Sequence, residues 1–312
     1  MSAACALGAR DLTGDVASLF RLHGPDRRLA TDGIQARLPS GPTATLGERV
    51  ATFFAAPRIG PDLLVGALPF DPHRNDALYQ PARLSAPASG APPSTLGPLF
   101  AAAELPSAAD YADAVARCVA MLRGSAATHD ALRKVVLARG LRVESAKPID
   151  PDELAGRLGS DASVTTYVVP LPVAPNEAPA WLVGATPELL VSRRGRAVVS
   201  HPLAGSARRV GSAAEDRSRT DALLASDKDL HEHRFVVEAI LDGLAPLCSQ
   251  LQAPPRPSLH ATATMWHLAT RITGTLKRDD ISSATLAGVL HPTPAVCGTP
   301  RLPALQAIRD LE

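Results

Sequence analysis

Apolar positions recur at helical spacing in four stretches of this 312-residue chain and alternate or cluster at strand spacing in several others. The first helical stretch follows Ser107, which caps it with Asp110 three residues on. Tyr111, Val115, Cys118, Val119 and Leu122 then share one face before Gly124 stops it. The second runs from about Lys228 to Leu251 on the stripe Val236, Ile240, Leu244, Leu247 and Leu251. The third is capped by Asp280 and continues through Leu290, and the fourth carries Leu302, Leu305, Ile308 and Leu311. Strand-type runs are Lys134–Ala138, Thr165–Val169, Trp181–Gly184 and Ala197–Ser200. Trp266, Leu268, Thr270, Ile272, Gly274 and Leu276 alternate like one half-buried strand.

Residues 1–80 read as short strands and turns, with apolar pieces such as 62–70. Residues 81–106 carry six prolines among Ala, Ser and Gly and read as a surface connection. Strands and helices interleave without regular βαβ spacing, so the predicted class is α+β. Its parts are a strand-rich region over 1–106 and a second region over 107–312.

Composition narrows the function classes. The chain has 32 basic and 31 acidic side chains, a net charge of +1, which argues against an electrostatic nucleic-acid or membrane partner. No apolar run approaches the roughly 18 residues of a transmembrane helix. The first residues lack the basic and apolar regions of a signal peptide, so none is expected. Cys5, Cys118, Cys248 and Cys297 form no C-x-x-C pair, as suits reduced thiols in a cytoplasmic protein. Only Lys134, Lys147, Lys228 and Lys277 are lysines and none follows a glycine, which excludes a G-K-[ST] phosphate loop. The G-x-G-x-x-G, G-x-S-x-G and H-E-x-x-H patterns are absent too.

Three side chains stand where chemistry could sit. Lys134 heads an apolar strand and reads either as a lysine that snorkels to water or as a desolvated amine able to act as a base. Glu188, after a strand and Pro187, reads as a first-turn helix glutamate or as an acid. Glu232 lies one turn before Val236, on the stripe side of its helix, where a carboxylate needs a partner such as Mg²⁺; the alternative is a solvated helix-start acid. His231 and His233 fall on different helix faces and cannot chelate one metal together, while His267 and His291 read as structural.

Seven ordered segments together resemble the chorismate-utilising enzymes, and within them the isochorismate synthases. They are 65–72 (VGALPFDP), 134–139 (KVVLAR), 185–190 (ATPELL), 202–209 (PLAGSARR), 228–233 (KDLHEH), 266–270 (WHLAT) and 291–296 (HPTPAV). The resemblance implies one α+β fold of two large packed sheets with flanking helices, its catalytic part over 107–312. It implies a monomer binding chorismate and Mg²⁺. It assigns Lys134 as the base that activates water for attack at ring C2, and Glu188 as the acid that protonates the departing C4 hydroxyl. Glu232 is implied as a magnesium ligand, and Gly205 and Ser206 as a loop whose backbone approaches a substrate carboxylate.

Ala295 stands where the similar salicylate synthases tend to have threonine, which favours stopping at isochorismate for siderophore or menaquinone synthesis. Salicylate synthase is the alternative within the family. The family pattern continues past Glu312 into elements carrying a substrate arginine and a second magnesium glutamate. The chain therefore reads as C-terminally truncated and is expected to be inactive alone; a non-catalytic remnant is the other alternative reading.

Overall fold

The structure is a computed structural model that describes residues 19–86, 98–125, 131–174 and 176–312. Its largest sheet is antiparallel and runs in the order β3 (Val65–Ala67), β4 (Ala77–Ser85), β2 (Arg28–Arg37), β1 (Phe20–His23), β8 (Thr165–Leu171) and β9 (Ala180–Thr186). Strands from before residue 86 and after 164 therefore share one sheet. Phe20, Val65, Tyr79 and Val169 form the core on it.

A second set of strands lies in two pieces. One is a four-stranded sheet in the order β10 (Leu189–Arg194), β11 (Ala197–His201), β16 (Ile272–Leu276) and β13 (Cys248–Gln252). The other has three strands, β12 (Leu203–Arg208), β15 (Met265–Ala269) and β14 (Ser258–Ala261). The pieces meet at a seam. β11 passes into β12 through Pro202, β15 passes into β16 through Thr270 and Arg271, and the Thr270 N–H donates to the Pro202 carbonyl at 3.3 Å. Two short pairs complete the strands among the described residues, β5 (Leu99–Leu105) with β7 (Gly140–Ser145) and β6 (Lys134–Val135) with β17 (Gly298–Thr299).

Seven α-helices flank these sheets among the described residues: α1 (Leu46–Ala55), α2 (Ala108–Ser125), α3 (Pro151–Leu158), α4 (Ala213–Ala225), α5 (Asp227–Leu244), α6 (Ser283–Leu290) and α7 (Arg301–Leu311). The α+β class is as predicted. The main core lies between α5, α6 and the four-stranded sheet, where Val236, Leu244, Ile272, Leu276 and Leu286 are wholly buried. Each such side chain contributes about 1.5–3 kcal/mol by leaving water. No described helix is long and apolar enough to cross a membrane.

Several boundaries differ from the sequence expectation, each for a physical reason. The helix predicted to Leu251 ends at Leu244: Ala245 is its C-cap, still in helical geometry with its N–H on Leu241 O, and Pro246 has no N–H to continue the ladder. Leu247 and Leu251 keep the stripe going because they pack on the same core from the turn and from β13. The alternating run 266–276 is two strands in two sheets, although its alternation survives the break: Leu268, Ile272 and Leu276 are all fully buried.

Ser282, not Asp280, caps α6. Its Oγ accepts from the Thr285 N–H at 3.0 Å, while Asp280 pairs with Arg278 at 2.9 Å. The connection expected over 81–106 holds the end of β4 and all of β5, and residues 87–97 lie outside the described part. Ser107 caps α2 as predicted, accepting from the Asp110 N–H at 3.2 Å. That helix passes Gly124 to Ser125, with 126–130 outside the described residues. Cys118, Cys248 and Cys297 are buried free thiols, and Cys5 lies outside the described residues.

Candidate active site

Lys134 sits on a strand only two residues long, held by pairing with β17. The Arg133 N–H donates to Thr299 O and the Val136 N–H to Cys297 O, both at 2.8 Å. Behind this pair Leu132, Cys297, Ala304 and Leu305 form a small core with α7. The lysine does not snorkel, since its side chain is 10% exposed. Its ammonium donates to the Pro294 carbonyl at 2.5 Å and lies 3.3 Å from Glu232 Oε1. Burial pulls its pKa below the ordinary 10.5, and the attraction of Glu232 and Glu188 only partly restores it.

Glu232 is presented by the second turn of α5, whose start is capped by Ser226 accepting from the Asp229 N–H at 3.2 Å. Its second oxygen lies 3.6 Å from Lys228 Nζ, so the carboxylate stands between two ammonium groups. Lys228 also reaches Asp229 Oδ1 at 3.3 Å, which together with that carboxylate raises its pKa. A cavity of about 390 Å³ opens beside this cluster, lined among others by Tyr111, Arg133, Lys134, Lys228, Glu232 and Phe235.

Glu188 lies in the turn from β9 to β10, not in a helix. Its N–H donates to Thr186 Oγ1 at 3.0 Å and β10 begins at the next residue. Burial raises its carboxyl pKa above the usual 4.5. A bond from the Leu203 N–H and the charge of Lys134 oppose that shift without cancelling it.

Gly205 and Ser206 lie at an irregularity of β12, and Gly205 has φ +81. A Cβ there would come within 3.1 Å of both Asp229 Cβ and Leu268 Cδ1, so glycine lets this strand approach α5. The exposed Ser206 hydroxyl lies 2.7 Å from His267 Nδ1. Ala295 is half-buried and packs on the α5–α6 core beside Pro294, whose carbonyl receives Lys134.

The residues singled out from the sequence thus gather in part. Lys134 and Glu232 are in contact, Glu188 is close enough for its charge and that of Lys134 to shift one another, and Gly205 lies against the start of α5. None of Glu188, Gly205, Ser206 and Ala295 lines the cavity. Sequence reasoning passed over Lys228, although its i,i+4 spacing to Glu232 was a readable signal. It had none for Arg133 and Phe235, brought together by a guanidinium 5.2 Å from the ring centre.

His291 is structural, as read from the sequence, with Nε2 donating to Pro69 O at 2.8 Å. His231 and His233 point apart as expected: His231 is exposed and packs on Phe235, while His233 is buried.

A family description of chorismate binding enzymes matches residues 78–312. The protein named MenF in Mycobacterium tuberculosis strain H37Rv is 40% identical over 298 residues, 94% of this chain and 77% of that protein. The isochorismate synthase DhbC of Bacillus subtilis strain 168 is 38% identical over 308 residues, 94% of this chain and 76% of its own. The crystal structure of DhbC from Bacillus anthracis matches with a TM-score of 0.82 at 36% identity, covering 95% of this chain and 78% of that one.

Proposed function

This chain belongs to the chorismate binding enzymes, and from that membership we propose that it is an isochorismate synthase. The observation that carries the chemistry is a pair of buried groups pushed in opposite directions. Lys134 is shifted toward a free amine and Glu188 toward a protonated carboxyl. Burial brings the two pKa values toward each other, which makes a free amine and a protonated carboxyl more accessible together and suits a base and an acid acting as a pair. In this reading Lys134 Nζ takes a proton from the water that bonds to ring C2. Glu188 gives its proton to the C4 hydroxyl, which leaves as water while the ring double bonds shift. Atoms and charge balance, and the product is an isomer of the substrate.

The Gly205–Ser206 backbone is proposed to meet a substrate carboxylate. Ala295 lies beside the Pro294 carbonyl that orients the base.

Mg²⁺ is part of the proposal, and the donor chemistry fits it in a limited form. Among the described residues no three His, Cys, Asp or Glu side chains gather as a closed metal site. Mg²⁺ commonly keeps several waters and is held by one or two carboxylates plus substrate oxygens, and Glu232 is such a carboxylate beside a cavity. When bound there, the ion would offset substrate charge and fix its orientation.

The test is to incubate the purified chain with chorismate, with and without Mg²⁺, and separate the products by liquid chromatography. Isochorismate formed only with Mg²⁺ would support the proposal and overturn the inactivity expected of this chain from its sequence, and salicylate would move the reading to the salicylate-forming alternative. A chain that melts cooperatively yet neither binds nor converts chorismate would overturn the proposal and favour the non-catalytic remnant.

A further inference from the structure

The chemistry above uses Glu232 and leaves its neighbour unexplained. His233 is 2% exposed, and its ring spans the seam between the two sheet pieces. Nδ1 lies 3.2 Å from the Ala204 carbonyl and Nε2 lies 2.7 Å from Thr270 Oγ1. A carbonyl only accepts, so Nδ1 carries the proton, and the neutral ring accepts the Thr270 hydroxyl at Nε2.

Ala204 has particular need of that donor. The β12–β15 register runs from Leu203↔Ala269 to Ser206↔His267, so Ala204 and Gly205 together oppose the single residue Leu268. A bulge of this kind disrupts the ladder locally and re-aims the strand. A buried carbonyl left without a donor would cost about as much as a lost hydrogen bond. His233 supplies the donor from the same helical turn that carries Asp229 under Gly205 and Glu232 opposite Lys134.

We infer that His233 is a positioning residue: its Nδ1–H holds the Ala204–Gly205 bulge in register with the start of α5, fixing the Gly205–Ser206 backbone relative to Lys134 and Glu232. The catalytic consequence rests on the isochorismate synthase reading; the geometric one does not.

Two substitutions separate the two ring contacts. Asparagine at this position sets an amide N–H near where Nδ1 was, and glutamine sets one near Nε2. For the full chain, thermal melts, kcat and KM for chorismate, and amide hydrogen exchange in the segment 203–208 are measured. His233→Gln should exchange faster in 203–208 and lose about 10–100-fold in kcat/KM, the usual scale when a supporting hydrogen bond behind a site is removed. His233→Asn should restore slow exchange and recover most of that loss. Thr270→Val, which removes only the other contact, should disturb 203–208 much less than His233→Gln.

Equal behaviour of the Asn and Gln variants, or losses that follow melting temperature alone, would overturn the inference. So would failure of both to fold while Thr270→Val folds, which would make the ring a core element only. If the parent chain proves unable to convert chorismate, the function proposal fails, and the exchange contrast still decides the role of His233.

Discussion

Gly298→Ala tests how tightly Lys134, the proposed base, is held. An alanine Cβ at this position would stand 2.1 Å from the Lys134 carbonyl oxygen and 2.6 Å from Ala304 Cβ, where real contacts keep beyond 3.0 Å. Neither obstacle is the tip of a flexible side chain: one is the backbone of the proposed base, the other the first carbon of a residue in α7. Relief requires β6 and β17 to part by about 1 Å, and a misplacement of that size at a catalytic group costs on the order of 10²-fold in rate. The movement also strains the two 2.8 Å bonds that tie Arg133 to Thr299 of β17 and Val136 to the neighbouring Cys297, and the core of Leu132, Cys297 and Leu305. Overpacking of this kind typically costs about 1–3 kcal/mol, and each kcal/mol lowers Tm by roughly 2–4 °C in domains of 150–250 residues. Gly211→Ala is the control, since it too has a positive φ, +81, but nothing within 4 Å of the added carbon. Thermal melts and initial rates of isochorismate formation should rank the parent first, Gly211→Ala close behind, and Gly298→Ala well below both. A Gly298→Ala chain with the control's melting temperature and rate would refute the tight β6–β17 contact and the placement of Lys134 built on it.

Lys134→Ala should lower kcat by about 10²–10⁴, the range for loss of a general base, while chorismate still binds by titration calorimetry. Lys134→Arg should not rescue it, because a guanidinium stays protonated; recovery of activity with arginine would show that the position supplies charge and not a base. Glu188→Gln should change how stability depends on pH. The carboxyl pKa in the fold is raised by burial above the ordinary 4.5. The folded state therefore holds a proton that the unfolded state has released, and the parent loses stability as pH climbs from 4.5 through the raised value. The Gln variant, with no proton to lose, should be flatter across a melt series from about pH 4 to pH 7, and an unchanged slope would place the buried titration elsewhere.

Regular elements were legible in the sequence where one face alone is buried. The stripe Val236, Ile240, Leu244 and the alternation Leu268, Ile272, Leu276 each mark a single apolar surface, and burial follows them closely. What could not be read was where a run stops being one element. Leu247 and Leu251 continue the helical spacing yet belong to a turn and to β13, because the same core takes them from a different backbone. Thr270 fits the strand alternation yet sits at the passage between two sheets. The proposed site was visible as motifs whose relation in space was not. Nothing in the spacing of Lys134, Glu188 and Glu232 says that the first would meet the third at 3.3 Å, or that burial would lower the pKa of the first and raise that of the second.

That difference has a structural cause, since several of the residues concerned stand, or make their contacts, where regular strand pairing breaks off. Lys134 occupies a strand of two residues, Glu188 a turn, Gly205 a bulge and His233 the seam between sheet pieces. A broken ladder leaves backbone donors and acceptors unspent, and a buried one must find another partner. Here it finds side chains: the Pro294 carbonyl takes the Lys134 ammonium, the Leu203 N–H takes the Glu188 carboxyl, and the Ala204 carbonyl takes the His233 ring. Each group is thereby fixed by a backbone atom, and Lys134 and Glu188 are held out of water, where burial drives their pKa values together. Regularising the bulge or lengthening β6 would recover ladder bonds and release those side chains. In this fold the sites of weakest regular structure are therefore the sites of greatest preorganisation.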